Sequence, residues 1–260
     1  MPVTKHNYLV KEVGELAGVM REAFYLARTG RPGAVLVDVP SDLQLATTVF
    51  PERPEQPEAL LPGYRLLREG DPELLRRAAE MINAARSPVL YVGGGIISSG
   101  ASPALVKLAK KTGIPVANTL MGKGAFPETH ELSVGMPGMH GTACASKALN
   151  GADLIVGVGV RFSDRVTGDL EKFAPRASII HIDIDPAELN KIIKPHLAIE
   201  ADARLALEKL LPLVRKQDLT AWHEQIAEWK RDFPLSYKPA PEGLIAPQFV
   251  IQELWKVTGG

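Results

Sequence analysis

Apolar residues are distributed along this chain in two ways. Short unbroken blocks occur at Ala34–Val39, Pro88–Val92, Ile114–Asn118, Leu154–Val160, Ile179–Ile184 and Leu197–Ile199. Between them lie longer stretches in which apolar side chains recur at helical spacing, as at Leu75, Ala78, Ala79, Ile82 and Ala85. A continuous block suits a strand covered on both faces, and the helical spacing suits a helix with one buried face. Their alternation from residue 71 to residue 214 predicts an α/β fold: a doubly wound, Rossmann-like parallel sheet of about five strands.

The same pattern divides the chain. Residues 13–27 carry Val13, Leu16, Ala17, Met20, Ala23, Phe24 and Ala27 at helical spacing, with Gly30 placed as a C-terminal cap and Pro40 stopping the strand that follows. One helix and one strand cannot make a core, so residues 1–46 read as the tail of a preceding domain. Residues 47–70 form a linker stiffened by Pro51, Pro54, Pro57 and Pro62. In the central domain, residues 71–216, Asp71 caps a helix with Pro72 at its first position. Further helices are predicted over 102–111 and 143–149, briefly after Pro186, and over 203–214, where Pro212 kinks or ends the last turn. Residues 217–260 are a connector and the start of another domain, in which Trp222, Ile226, Trp229 and Phe233 form a docking surface and 247–257 form a helix.

Charge and composition remove function classes without assigning one. The 260 residues hold 30 basic and 30 acidic side chains, so net charge gives no basis for a nucleic acid or membrane partner. A single cysteine, Cys144, rules out an internal disulfide framework and fits a reducing cytosol; the charged opening MPVTKHNYLVKEVGE has no apolar signal core. The expectation is a soluble cytoplasmic protein.

Candidate chemistry sits where the strands end, because ligands of open α/β sheets collect at the carboxyl edge. Arg161 follows one block and Asp183 closes the next, which suits a ligand with phosphates and ribose hydroxyls, or equally a direct ion pair between the two. Gly93, Gly94 and Gly95 between a strand and a helix place backbone donors near a phosphate, although GGGIISSG lacks the GxGxxG spacing and a plain tight turn also fits. Thr119–Thr142 shows neither period and is rich in glycine and methionine, so it reads either as a functional loop lining a flat aromatic ligand or as a surface loop. Residues 162–176, with Asp164, Arg165, Asp169, Glu171 and Lys172, read as a solvated charged face. His181, inside an apolar strand, reads as a satisfied core histidine, and His6, His130, His196 and His223 have no metal-ligand spacing.

Five motifs then converge on one family. GRPGAVLVDVPSDLQ (Gly30–Gln44), TLMGKGAFPE (Thr119–Glu128), GMPGMHGT (Gly135–Thr142), GVRFSDRVTG (Gly159–Gly168) and HIDIDPAE (His181–Glu188) resemble acetohydroxyacid synthase, also called acetolactate synthase, in the family's own order. The resemblance implies a three-domain catalytic subunit that uses thiamine diphosphate and Mg²⁺ to decarboxylate pyruvate and pass the two-carbon unit to a second 2-oxo acid, in branched-chain amino acid biosynthesis. It implies a homo-oligomer, with a regulatory subunit as a further partner.

It also implies that FAD is held structurally by the middle domain. Carried over residue by residue, the FAD contacts are Arg31; Gly93, Gly94 and Gly95; Thr119, Leu120 and Met121; Pro137, Gly138, Met139 and His140; Gly159, Val160, Arg161, Phe162 and Ser163; Asp183 and Ile184; and Asp202 with Ala203. Arg161 would neutralise phosphate, Asp183 would hold a ribose hydroxyl and Asp202 would accept from an adenine amino group. No catalytic or metal-binding residue is carried over: the family's aminopyrimidine glutamate and its GDG metal motif have no counterpart in these residues. These 260 residues are therefore expected to be inactive alone. Three departures stand out: Ser41 in place of the family's lysine, Ser163 in place of an aspartate, and Pro137 in the methionine loop. Loss of the lysine at Ser41 removes a cation that could attract a 2-oxo acid and leaves open a relative with another acceptor, such as glyoxylate carboligase; a stand-alone nucleotide-binding domain is a third reading.

Overall fold

The computed structural model describes residues 3–50, 61, 63, 64, 66 and 69–259; the four linker prolines Pro51, Pro54, Pro57 and Pro62 lie outside them. At the start, β1 (His6–Leu9) and β2 (Val35–Asp38) pair in parallel around the crossing helix α1 (Leu16–Arg28). The expected helix is split, because Val13–Glu15 forms a separate 3-10 turn before α1. Neither face of this two-stranded sheet is buried. β1 has no counterpart among the predicted strands, since HNYL is neither alternating nor continuously apolar. A short helix, α2 (Ser41–Gln44), follows Pro40.

The larger unit opens with α3 (Pro72–Ala84). Asp71 Oδ1 accepts from the backbone N–H groups of Glu73 and Leu74 at 2.8 and 3.2 Å, satisfying two donors that a helix start leaves open. After it come β3 (Pro88–Val92), α4 (Gly94–Ser98), α5 (Ser102–Thr112), β4 (Val116–Asn118), β5 (Ser133–Gly135), α6 (Ala143–Gly151) and β6 (Leu154–Val158). The rest is α7 (Asp164–Thr167), β7 (Ser178–Asp183), β8 (Leu197–Glu200), α8 (Ala203–Leu210), α9 (Thr220–Asp232) and α10 (Pro247–Thr258).

Six strands make one sheet in the order β5-β4-β3-β6-β7-β8, every neighbouring pair parallel. The chain runs outward from β3 through β4 to β5, then returns to the far side of β3 to lay down β6, β7 and β8. The reversal lies between β3 and β6, and the crevice it creates opens at their carboxyl ends. Every residue of both strands is buried, so both faces of the sheet are covered; α3 and α5 pack with α8, and α6 packs with α9.

The sheet thus has the expected class, with one strand more than expected. β5 lies inside the stretch read as having no secondary structure, because Ser133 and Gly135 carry no strand signal of their own and the segment is ordered by pairing with β4. The short helix expected after Pro186 is instead a run of turns broken by Asn190 at φ 63°. α8 ends at Leu210, ahead of Pro212, which has no N–H to continue it. The charged stretch after β6 is solvated only in part: it contains α7 and sends Phe162, Phe173 and Ala174 into the core. On α9, Trp222 donates through Nε1 to Pro88 O at 3.1 Å and is buried with Ile226, so this helix closes the same core. α10 buries no residue, leaving Ile251, Leu254 and Trp255 exposed. Among the described residues no helix is long and apolar enough to cross a membrane.

Candidate functional site

A cavity of about 690 Å³ lies over the crevice. It is lined by turns following β3, β6, β7 and β8, and by the segment from α1 to Pro32. Ten of the residues predicted to touch a dinucleotide line it together: Arg31, Gly94, Gly95, Met121, Gly159, Arg161, Asp183, Ile184, Asp202 and Ala203.

The glycines there let two strand tips touch. A Cβ on Gly93 would lie 2.2 Å from Gly159 O, and one on Gly95 would lie 2.6 Å from Gly159 Cα. Gly159 has φ +59°, a conformation L side chains rarely adopt. The N–H groups of Gly93 and Gly95 donate to Val158 O and Gly159 O at 3.1 and 3.2 Å. These two donors are therefore engaged by protein and are not aimed at a ligand. Gly94, 3.3 Å in Cβ distance from Met121, stays at the cavity wall with Gly95.

Arg161 and Asp183 do not pair with each other. Among the described residues the Arg161 guanidinium has no hydrogen bond or ion pair, and it stands exposed at the cavity wall. Asp183 is mostly buried, and burial pushes its carboxyl up from 3.8 to about 6. Its Oδ1 accepts from Asp185 N–H at 2.9 Å, the one contact that favours the charged form through the backbone. A free cation and a poorly solvated acid thus face one hollow.

Arg31 and Asp202 have protein partners of their own. Arg31 Nη1 reaches Glu188 at 2.6 Å and Asp185 at 3.0 Å, tying the segment after α1 to the turn after β7. Glu188 is only 6% exposed; burial acts to raise its carboxyl, and the hydrogen bonds from Arg31 and Lys191 outweigh it and hold it below the ordinary range. Asp202 caps α8, its Oδ1 accepting from Arg204 and Leu205 N–H at 2.9 and 3.1 Å. Its other oxygen takes no part in those bonds.

The remaining predicted contacts do not line this cavity. Val160 and Phe162 point down into the core, at 2% and 1% exposure, and alternate with Gly159 and Arg161 above. Ser163 caps α7, accepting from Arg165 N–H and donating to Asp164 Oδ1. Thr119 closes the turn at Leu120–Gly122 by accepting from Gly122 N–H at 3.0 Å, which leaves Leu120 and Met121 exposed. Pro137 is buried, and Gly138, Met139 and His140 form a tight loop beside α7, where Met139 N–H donates to Arg165 O at 2.9 Å. His140 is exposed there and outside the cavity.

Sequence reading missed Arg28, Ser98, Ser99, Glu188 and Arg204, which also line the hollow. Glu188 sits in the quoted HIDIDPAE motif and Arg204 directly follows Asp202 and Ala203, so adjacency was the available signal for both. Arg28 at the end of α1 carried none. Among the described residues no group of three or more His, Cys, Asp or Glu side chains stands together as a metal site.

Residues 75–210 match the model of the thiamine pyrophosphate enzyme central domain. The whole chain is 47% identical over 266 residues to the acetolactate synthase large subunit of Corynebacterium glutamicum, covering 42% of that protein. It is 46% identical over 268 residues to the chloroplastic acetolactate synthase 1 of Zea mays, and 48% over 266 residues to acetolactate synthase 2 of Nicotiana tabacum, covering 41% and 39% of them. The chain thus spans about two fifths of the length of these relatives. With its sheet, its switch-point cavity and this match in agreement, the chain belongs to the thiamine pyrophosphate enzymes and carries their central domain.

Proposed function

We propose that this chain is the part of an acetolactate synthase catalytic subunit that holds FAD across the crest of its central sheet. The observation that carries the reading is that Arg161, without a partner among the described residues, and the desolvated Asp183 line one cavity beside glycine-packed strand tips. A dinucleotide diphosphate offers the anion that Arg161 lacks, and a ribose hydroxyl donates to an acid that burial makes a strong acceptor. Close packing of Gly93 and Gly95 against Gly159 holds the tips of β3 and β6 together at the cavity floor, where a Cβ would strike the opposing backbone. Met121 adds an apolar, polarisable wall. Arg31, fixed by Asp185 and Glu188, acts on the ligand through the shape of the wall and not as a free cation.

In the whole enzyme, thiamine diphosphate with Mg²⁺ supplies the decarboxylation and two-carbon transfer from pyruvate to a second 2-oxo acid, while the residues described here bind and orient the flavin. Turnover requires segments beyond these residues, as the two-fifths coverage of the relatives supports. The homo-oligomer, the regulatory subunit and a cytoplasmic site of action belong to the same proposal. Identity of 43–48% to acetolactate synthases along the full chain favours this enzyme over glyoxylate carboligase. Fluorescence titration of the ligand-free chain with FAD tests the reading: Arg161→Ala should weaken binding at least about tenfold, or about 1.4 kcal/mol. Equal affinity in the variant removes Arg161 from the site.

A further inference from the structure

Arg161 leaves β6 on a turn that is unusual in two places. Gly159 has φ +59° and Phe162 has φ 47°, so the chain doubles back over the strand it has just left. Two features beneath hold it there. Phe162 lies over Gly157, where a Cβ would meet its ring at 2.7 Å, and it packs edge-on against Tyr91, Phe173 and His181. His181 lies on β7 directly opposite Gly157, and its Nε2 is 2.8 Å from Val160 O, the carbonyl immediately before Arg161. A carbonyl only accepts, so Nε2 carries the proton; Nδ1 is then a bare acceptor, buried and without a partner among the described residues, so His181 is not the satisfied core histidine its strand suggests. Burial lowers the ring's pKa, so the neutral tautomer is retained.

We propose that His181 is a positioning residue for the cavity: the hydrogen bond from its Nε2–H to Val160 O fixes the exit turn of β6 so that Arg161 faces the hollow. Packing alone does not account for a histidine that buries an unmatched Nδ1 in an apolar strand while its other nitrogen bonds Val160 O. The exchange of a buried, unmatched Nδ1 for a fixed Val160 carbonyl is explained by what Val160 precedes. The proposal rests on the reading of Arg161 as a phosphate contact.

The test uses the full chain, with FAD as probe, and two substitutions at His181, alone and in an Arg161→Ala background. His181→Leu keeps an apolar side chain in β7 and removes the donor; His181→Gln keeps an N–H at the same reach. His181→Leu should weaken FAD binding about tenfold, the ordinary worth of one buried hydrogen bond, and His181→Gln should restore most of it. In an Arg161→Ala background His181→Leu should add less than about a twofold loss, because the two residues act through one contact. Independently of any flavin, amide exchange across residues 159–163 should rise in His181→Leu and stay near wild type in His181→Gln. Unchanged exchange, a glutamine variant as weak as leucine, or a full further loss in the Arg161→Ala background would overturn the proposal. Should Arg161→Ala alone leave FAD affinity untouched, the cavity reading fails, and the exchange measurement still decides whether His181 holds the turn.

Discussion

Replacing Asp183 by asparagine should make the ligand-free protein more stable while making it a poorer flavin binder. Burial lifts the Asp183 carboxyl from 3.8 to about 6, so the folded chain binds this proton more tightly than the unfolded chain. For an acid raised in this way, the stability contribution is fully present below the unfolded value, near pH 4. It declines as pH climbs through the folded value, near 6. The rise corresponds to about 3 kcal/mol at pH 7 and above, at about 1.4 kcal/mol per pH unit. An asparagine there carries no charge to desolvate, and its side-chain oxygen can still accept from Asp185 N–H as the Asp183 Oδ1 does now at 2.9 Å. The gain from Asp183→Asn should therefore approach 3 kcal/mol above pH 7 and fade below about pH 4. Urea unfolding of both proteins across pH 4–8 measures it; near neutrality the melting temperature should rise about 2–4 °C for each kcal/mol. A stability difference that does not change with pH, or a loss at pH 7, refutes the assignment of Asp183 as a desolvated acid. The accompanying fall in FAD affinity would mark the acid as retained for binding at the expense of stability.

Arg31→Gln leaves the buried Glu188 with Lys191 as its remaining cation and should destabilise the fold by about 1–3 kcal/mol. Because Glu188 is held below its ordinary range, that difference should be present at neutral pH and shrink as acid protonates Glu188, which thermal melts at pH 7 and pH 3 would show. Gly95→Ala places a Cβ 2.6 Å from Gly159 Cα, where backbone must move, and should cost about 1–3 kcal/mol with loss of flavin binding; an unchanged melting temperature would show that the two strand tips are not in contact. The 260-residue chain supplied with thiamine diphosphate, Mg²⁺ and pyruvate should form no acetolactate, and measurable product would place the chemistry within these residues.

The sheet was legible because burial on both faces writes itself as unbroken apolar blocks. β3 matched its block residue for residue, and β6 and β7 fell within two residues of theirs. β5 was not legible: a strand of Ser133, Val134 and Gly135 exists because β4 offers it hydrogen bonds, and pairing across the sheet leaves no mark in local composition. The site divides along the same line. Arg161, Asp183 and the glycines follow from where blocks end, so their convergence was visible in advance. What each donor is engaged in was not. The N–H groups of Gly93 and Gly95 serve β6, Arg31 serves Glu188, and Asp202 serves the start of α8; such commitments appear only when partners distant in sequence are brought together. Phe162 shows this most clearly. A charged loop hides one aromatic residue at positive φ, and only the packed structure shows that Gly157 makes room for it.

A single dinucleotide is expected to lie across the tips of β3, β6 and β7. A crystal structure of the chain grown with FAD would test it directly. The diphosphate should lie within hydrogen-bonding reach of Arg161 and a ribose hydroxyl on Asp183, with the ligand backbone passing over Gly94 and Gly95. Flavin bound on another surface, or lying in this cavity with its phosphates turned away from Arg161 towards solvent, would contradict it.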